Sequence, residues 1–259
     1  MTAVENLLVN YNFSFDRDST FHSITRIILQ NMHHVSRMSI NELAEFCFTS
    51  PSTISRIVKN LGYKNYSTFQ SSLTRCLGEY RFHNVIVSSP SYFGLEDQIN
   101  HLFSSELDLI SQVKQGLDID LVRDLATCLK GSNHVAIFPY VAILMELSLQ
   151  SDLMYSGICC DVILDQTGQL SYAKKLPNNT SSIIIAPDGP AGVSHFAALL
   201  DAAARNGNKT CVITSSTSAR ELRKADYLFS FEGKQSICDQ FATQAIVGAI
   251  TLAYRELIF

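Results

Sequence analysis

One stretch, Met38 to Gly62, reading MSINELAEFCFTSPSTISRIVKNLG, constrains the chain more than any other. Ser39 followed three residues later by Glu42 is the pattern of a reciprocal capping box and starts a short helix. Leu43 and Phe46 give that helix a buried side, and Ala44 is small where a second helix would cross it closely. After a turn at Cys47-Phe48-Thr49, Ser50 has the chemistry of an N-cap and Pro51 occupies the first helical position, where a missing N–H costs nothing. Ile54, Ile57, Val58 and Leu61 then recur at helical spacing. Gly62 stands where a glycine ends a helix in the left-handed conformation. The outer face of the second helix carries Ser52, Thr53, Ser55, Arg56 and Lys59, small, polar and basic. Such a face suits a helix lying in a DNA major groove, and the pair reads as a helix-turn-helix. A surface helix in a bundle would show a similar face, but not the preceding capped helix, the short turn and the Leu61-Gly62-Tyr63 stop together.

A chain of 259 residues is too long for that module alone and suits two domains. Net charge is −4, which argues against a surface that binds nucleic acid everywhere. Between Thr20 and Glu79, however, Arg26, Arg37, Arg56, Lys59, Lys64 and Arg75 face only Glu42, Glu45 and Glu79. A locally basic segment on an acidic chain fits a DNA reader joined to something else. No apolar run approaches the ~20 residues of a membrane span, and MTAVENLLVNYNFSFDRD lacks the basic start and cleavage site of a secretory signal. A cytoplasmic protein without a membrane partner is the expectation. The seven cysteines include no C-x-x-C and no His/Cys cluster at zinc spacing. The adjacent Cys159 and Cys160 sit in an apolar run and read as buried reduced thiols.

In chain order, residues 6–18 read as irregular, and Asp18 or Ser19 caps a helix from Thr20 to His34. His33 and His34 at its C-terminal end suit the helix dipole. A further amphipathic helix runs from Tyr66 to Leu77, and 78–95 loses periodicity in the manner of a linker. Helices are expected over 96–116 and, capped by Asp118 or Asp120, up to Lys130. Beyond it short apolar runs alternate with helical segments: strands at 134–138, 158–164, 183–186, 210–214 and 227–231, helices at 141–155, 193–205, 219–225 and 236–257. Strands buried on both faces and alternating with helices imply a doubly wound α/β sandwich with a mostly parallel sheet. The expected class is therefore α plus α/β: a helical domain over 1–78, a linker over 79–95 and an α/β domain over 96–259.

Ser39-Ile40-x-x-Leu43-Ala44, Ser50-Pro51-x-Thr53-Ile54-Ser55-Arg56 and Leu61-Gly62-Tyr63-x-x-Tyr66-x-x-Phe69 together resemble the N-terminal domain of the RpiR family of bacterial transcriptional regulators. Ile213-Thr214-Ser215, Ser218, Leu222 and Ala225-Asp226 are similar to the closing part of the sugar isomerase (SIS) domain that this family carries. The resemblance implies a homodimer or homotetramer that binds double-stranded operator DNA through its first domain and senses a sugar or sugar derivative with its second, without a cofactor. On that footing Ser52, Thr53 and Arg56 are expected near base edges, with Ser55 on the same helix, and Ser50, Lys59, Lys64 and Tyr66 at phosphates.

Two departures bear on the effector. Where the family's first SIS strand meets a glycine-rich loop ending in serine, this chain reads Ile137-Phe138-Pro139-Tyr140-Val141-Ala142. Where the family has Ser-x-Ser-Gly-x-Thr, it reads Ala186-Pro187-Asp188-Gly189-Pro190-Ala191. A phosphate cradle needs N–H and O–H donors, whereas both prolines lack the N–H and Asp188 repels an anion. Tyr140, Asp188, Gly189, Ser215, Ser216, Thr217 and Ser218 are the effector-site candidates, the four hydroxyl residues reading more readily as turn and cap chemistry. A sugar-phosphate isomerase is the alternative reading, as is a domain that only oligomerises; His134 and His195 have no evident partner for general-base work, and His195 reads as a helix-surface or interface residue. A third departure is Phe48, where the family has glycine; a phenylalanine tolerates positive φ poorly, so a relaxed turn is expected there.

Overall fold

In a computed structural model that describes residues 3–12, 18–78, 94–140, 144–164, 166–186, 190–215, 220–233 and 238–259, the chain divides into two units, Met1–His83 and Asn84–Phe259. The first is helical: α1 (Ala3–Asn12), α2 (Thr20–Gln30), α3 (Met32–Val35), α4 (Ile40–Phe46), α5 (Pro51–Asn60) and α6 (Tyr66–Gly78). Their shared core includes Leu7, Ile28, Leu43, Ile54, Phe69 and Leu73, each fully buried. Helix α1 overturns the expectation of an irregular start, because Ala3, Val4 and Leu7 make an apolar stripe that the core covers. Tyr11 stacks on His22 at 4.4 Å and extends that contact. The expected single helix from Thr20 to His34 is also interrupted. Asn31, at φ −130°, turns its side-chain amide back to donate to the Ile27 carbonyl at 2.8 Å, and α3 starts after it.

Helices α4 and α5 end in the same way. The Thr49 N–H donates to Ala44 O at 2.8 Å and Phe48 N–H to Glu45 O at 3.0 Å. One helix later, Tyr63 N–H donates to Val58 O at 3.1 Å and Gly62 N–H to Lys59 O at 3.0 Å. Both are Schellman pairs, which satisfy orphan carbonyls at the price of a left-handed residue. Gly62 adopts φ +86° freely, whereas Phe48 is held at φ +51°. The turn is thus not relaxed as expected: two hydrogen bonds fix it against a local cost of about 1–2 kcal/mol for an L-residue. Because the Phe48 ring is 98% exposed, Phe48→Gly loses no packing. It is expected to stabilise the first unit by roughly 0.5–1 kcal/mol after glycine's own entropy cost, read as a higher urea midpoint at unchanged m-value.

The second unit carries a five-stranded sheet of β1 (His134–Phe138), β2 (Cys159–Val162), β3 (Thr180–Ala186), β4 (Lys209–Thr214) and β5 (Tyr227–Ser230), in the order β2-β1-β3-β4-β5. Every pairing is parallel. Val135, Ile137, Ile183, Ile185, Cys211 and Ile213 face one layer, made of α7 (Leu95–Gly116), α8 (Ile119–Lys130), α9 (Leu144–Tyr155) and α12 (Cys238–Ile258). The alternate residues Ala136, Phe138, Ile184, Ala186 and Val212 face the other layer, with α10 (Gln166–Ala173) and α11 (Pro190–Ala203). This is the doubly wound α/β architecture expected, with period-two alternation between two buried faces. Asp118 is the residue that caps α8, accepting from the Asp120 and Leu121 amides at 3.0 Å. Helix α10 lies where no element was expected; its apolar residues lack a helical period, and it is anchored by buried Gln169 and Ala173 instead.

Candidate nucleic-acid interface and effector site

The presented face of α5 follows from its caps. Ser50 Oγ accepts from the Thr53 N–H at 3.2 Å and lies 2.7 Å from Ser52 Oγ and 3.0 Å from Thr53 Oγ1, a hydroxyl cluster at the helix N-terminus. Ile54, Ile57 and Val58 are buried beneath it. Ser52, Arg56 and Lys59 are exposed and successive along one face, and Thr53 and Ser55 are half-buried beside them. Lys64 is exposed in the loop that follows. In front of α5, the capping box of α4 is complete: Ser39 N–H donates to Glu42 Oε2 at 2.6 Å, and Glu42 N–H to Ser39 Oγ at 3.3 Å. The first of these bonds holds the Glu42 carboxyl below its ordinary value.

Tyr66 is placed differently from its phosphate expectation. It is buried, and its hydroxyl donates to the Met38 carbonyl at 2.9 Å; burial pushes the phenol up to about 12. Gln70 Nε2 donates to the same carbonyl at 2.6 Å, and Thr74 Oγ1 to Ser36 O at 3.3 Å. These three side chains stand four apart on α6 and brace the segment that leads into α4. Sequence reasoning missed this bracing role, although a polar stripe at 66, 70 and 74 on an otherwise amphipathic helix was the available signal. Tyr66→Phe removes one donor while Gln70 still satisfies the carbonyl, so a loss of about 1 kcal/mol in stability is expected. DNA affinity should stay unchanged, and a titration showing a large affinity loss in a folded Tyr66→Phe protein would return the phenol to a phosphate.

In the second unit the strand order reverses between β1 and β3, and in open α/β sheets ligands occupy the crevice at the carboxyl ends flanking that point. Tyr140 follows β1, half-buried and edge-on to Phe196 of α11 at 6.2 Å. Buried Gln169 donates from Nε2 to Pro139 O at 3.0 Å and Ile163 O at 2.9 Å, tying the ends of β1 and β2. Ser215 is buried after β4, and its carbonyl accepts from Gly233 N–H at 3.1 Å. A Cβ at Gly233 would stand 2.6 Å from that of Ser215 and 2.5 Å from Asp239 Oδ2, so these three residues are closely packed. Asp188, Gly189, Ser216, Thr217 and Ser218 lie outside the described residues. His195 on α11, expected at a helix surface or interface, is half-buried; its Nε2 is buried without a partner among the described residues, and burial holds the imidazole below its ordinary value. A separate cleft of about 350 Å³ between the α7–α8 junction and the end of β5 is lined by none of the candidates.

At the opposite, amino end of the sheet, His134 Nε2 meets Asp161 Oδ2 at 2.9 Å, and the Tyr172 hydroxyl donates to the same oxygen. The Tyr172 bond first, and His134 second, hold the Asp161 carboxyl below the usual carboxylate range. All seven cysteines are free thiols. Cys160 is buried as expected, its thiol pushed up to about 12 by burial, but Cys159 is exposed, since alternate residues of an edge strand point to opposite faces.

Residues 18–79 match the helix-turn-helix domain of the rpiR family. This domain belongs to the RpiR family. Within it the chain is 36% identical over 63 residues to the HTH-type transcriptional regulator GlvR of Bacillus subtilis strain 168. That match spans 24% of this chain and 24% of GlvR, about a quarter of the curated relative's length. Over 97% of this chain and 92% of the other, the structure is similar to the Vibrio vulnificus NanR protein complexed with ManNAc-6P, with a TM-score of 0.51 at 14% identity. The RpiR-type domain thus carries the α5 face described above, and the likeness to NanR extends the shared fold across both units. Among the described residues no helix is long and apolar enough to cross a membrane.

Proposed function

We propose that this chain is a DNA-binding transcriptional regulator of sugar or related metabolism, acting in the cytoplasm as a homodimer or homotetramer and not as an enzyme. The observation that carries the reading is the outward face of α5, Ser52, Arg56 and Lys59, on a doubly capped RpiR-type helix-turn-helix. Residues 1–78 form the reading domain, 79–95 the linker and 96–259 the effector domain. One recognition helix reads few base pairs, so two copies on paired half-sites supply the specificity. Apolar side chains left exposed on α7 (Ile99, Phe103, Leu107, Ile110) and α12 (Phe241, Leu252) support self-association through the second unit. Ile246 and Ile250 of α12 belong instead to the core. GlvR's name supports the regulatory role, and the ManNAc-6P complex of NanR supports a carbohydrate effector.

The effector is a sugar or sugar derivative that is neutral or cationic, bound near Tyr140, Asp188, Gly189 and Ser215 to Ser218. Pro187 and Pro190 offer no N–H, and Asp188 opposes a phosphate by about 1 kcal/mol in water and several times more where solvent is scarce. An isomerase would need a base in that crevice, whereas His134 sits at the other end of the sheet. Footprinting of DNA adjoining the gene, with and without candidate sugars, tests the reading. A protected, roughly palindromic site that is released by a neutral sugar is expected. Clear thermal stabilisation by a sugar phosphate would overturn the effector assignment, and turnover of a sugar phosphate would replace the regulator with an enzyme.

A further inference from the structure

Three chemically distinct metal-ligand side chains converge at the amino end of the sheet, away from the β1/β3 crevice. His134 and Cys159 are register partners on the parallel pair β1–β2, and Asp161, two residues after Cys159, returns to the same face. His134 Nε2, Cys159 Sγ and an Asp161 carboxylate oxygen all lie within 4.8 Å of one another. We infer that His134, Cys159 and Asp161 form a Zn²⁺ site with its fourth coordination position open to solvent.

Five features of the cluster fit that ion. Ligands at about 2.0–2.3 Å from one tetrahedral centre stand roughly 3.3–3.8 Å apart, a spacing that three donor atoms within 4.8 Å of one another reach by side-chain adjustment. A nitrogen, sulfur and oxygen set is borderline in softness; it selects Zn²⁺ over Mg²⁺ or Ca²⁺, which prefer all-oxygen shells. The ring of His134 is buried and, among the described residues, its one partnered nitrogen is Nε2, aimed at Asp161. The Tyr172 hydroxyl, from α10, donates to Asp161 Oδ2 and orients the carboxylate, as outer-shell donors do at metal centres. Cys159 is exposed and Asp161 is half-exposed, which gives the ion a way in and leaves room for a water or an external ligand. The ion would pin β2, an edge strand with β1 as its one neighbour, to the body of the sheet.

Titration of the full chain with Co²⁺, followed by displacement with Zn²⁺, tests the site. One Co²⁺ per chain with a sulfur-to-cobalt charge-transfer band is expected, and Zn²⁺ should bleach that band. Cys159→Ser, at an exposed position that leaves the fold intact, should abolish the band. Tyr172→Phe should weaken binding by about 10–100-fold while the band shape persists, which marks Tyr172 as a positioning residue. Failure of the wild-type chain to develop a band at equimolar Co²⁺ would overturn the site. So would a band that survives Cys159→Ser, since another thiol would then hold the ion.

Discussion

Replacing Arg56 with alanine is expected to weaken operator binding by about 1–3 kcal/mol, five- to 150-fold, and to relax the preference for one base pair. The guanidinium is exposed at the middle of the α5 face, and the buried Ile54, Ile57 and Val58 on the opposite side set its direction. Arginine's planar fork matches the O6 and N7 acceptors of guanine, so the loss should fall mainly on the specific site. Lys59→Ala gives the contrast, because a phosphate contact weakens all sequences alike and lowers the salt slope by about one. Fluorescence anisotropy on operator and random duplexes, each at several salt concentrations, separates the two behaviours. Equal losses for Arg56→Ala on both duplexes would demote it to a phosphate contact.

The second large effect concerns the frame that holds α5. Phe69 is fully buried on α6, edge-on to Tyr63 at 5.4 Å and tilted to Tyr66 at 6.1 Å. Truncation to alanine removes a ring from the centre of a small helical core and leaves a cavity, at an expected cost of about 3–5 kcal/mol. A helical unit of this size has little more than that in total stability, so Phe69→Ala should unfold the reading domain near physiological temperature. Loss of DNA binding is then expected while the sheet's circular dichroism signature persists. A Phe69→Leu protein, which keeps most of the volume, should retain both. Calorimetry showing an unchanged first-unit transition in Phe69→Ala would mean that α6 contributes less to the frame than its burial indicates.

Legibility in the sequence followed the range of the interaction. Ser39–Glu42, Ser50–Thr53 and Gly62 are contacts within one turn, and the bounds of α5 could be read from them directly. The inner strands β1, β3 and β4 were visible because both of their faces are buried, which leaves apolar runs. Helix α1 was missed since its stripe is short and acquires meaning only when α2 and α6 cover it. Tyr66 was misplaced because the Met38 carbonyl that accepts its hydrogen bond lies far back in the chain. The His134–Cys159–Asp161 cluster is set by strand register, which no local spacing encodes. Phe48 teaches a related lesson: a residue unsuited to its conformation is still held there when two backbone hydrogen bonds demand it.

The layering of the sheet has a kinetic consequence. Strand β1 must wait for β3, its inner neighbour, to emerge after β2 has already been made, and the layer over Ile137 and Ile213 stays incomplete until α12 brings Ile246, Ile250 and Tyr254. Contacts in the first unit are helix on helix and need no crossover between parallel strands. Low contact order favours fast folding and parallel pairing across long crossovers favours slow folding. During synthesis the reading domain should therefore be competent for DNA while the sheet is still an exposed apolar surface. Self-association through a half-built second unit is the hazard of that interval, and ribosome-stalled chains ending before and after α12 would show when it closes.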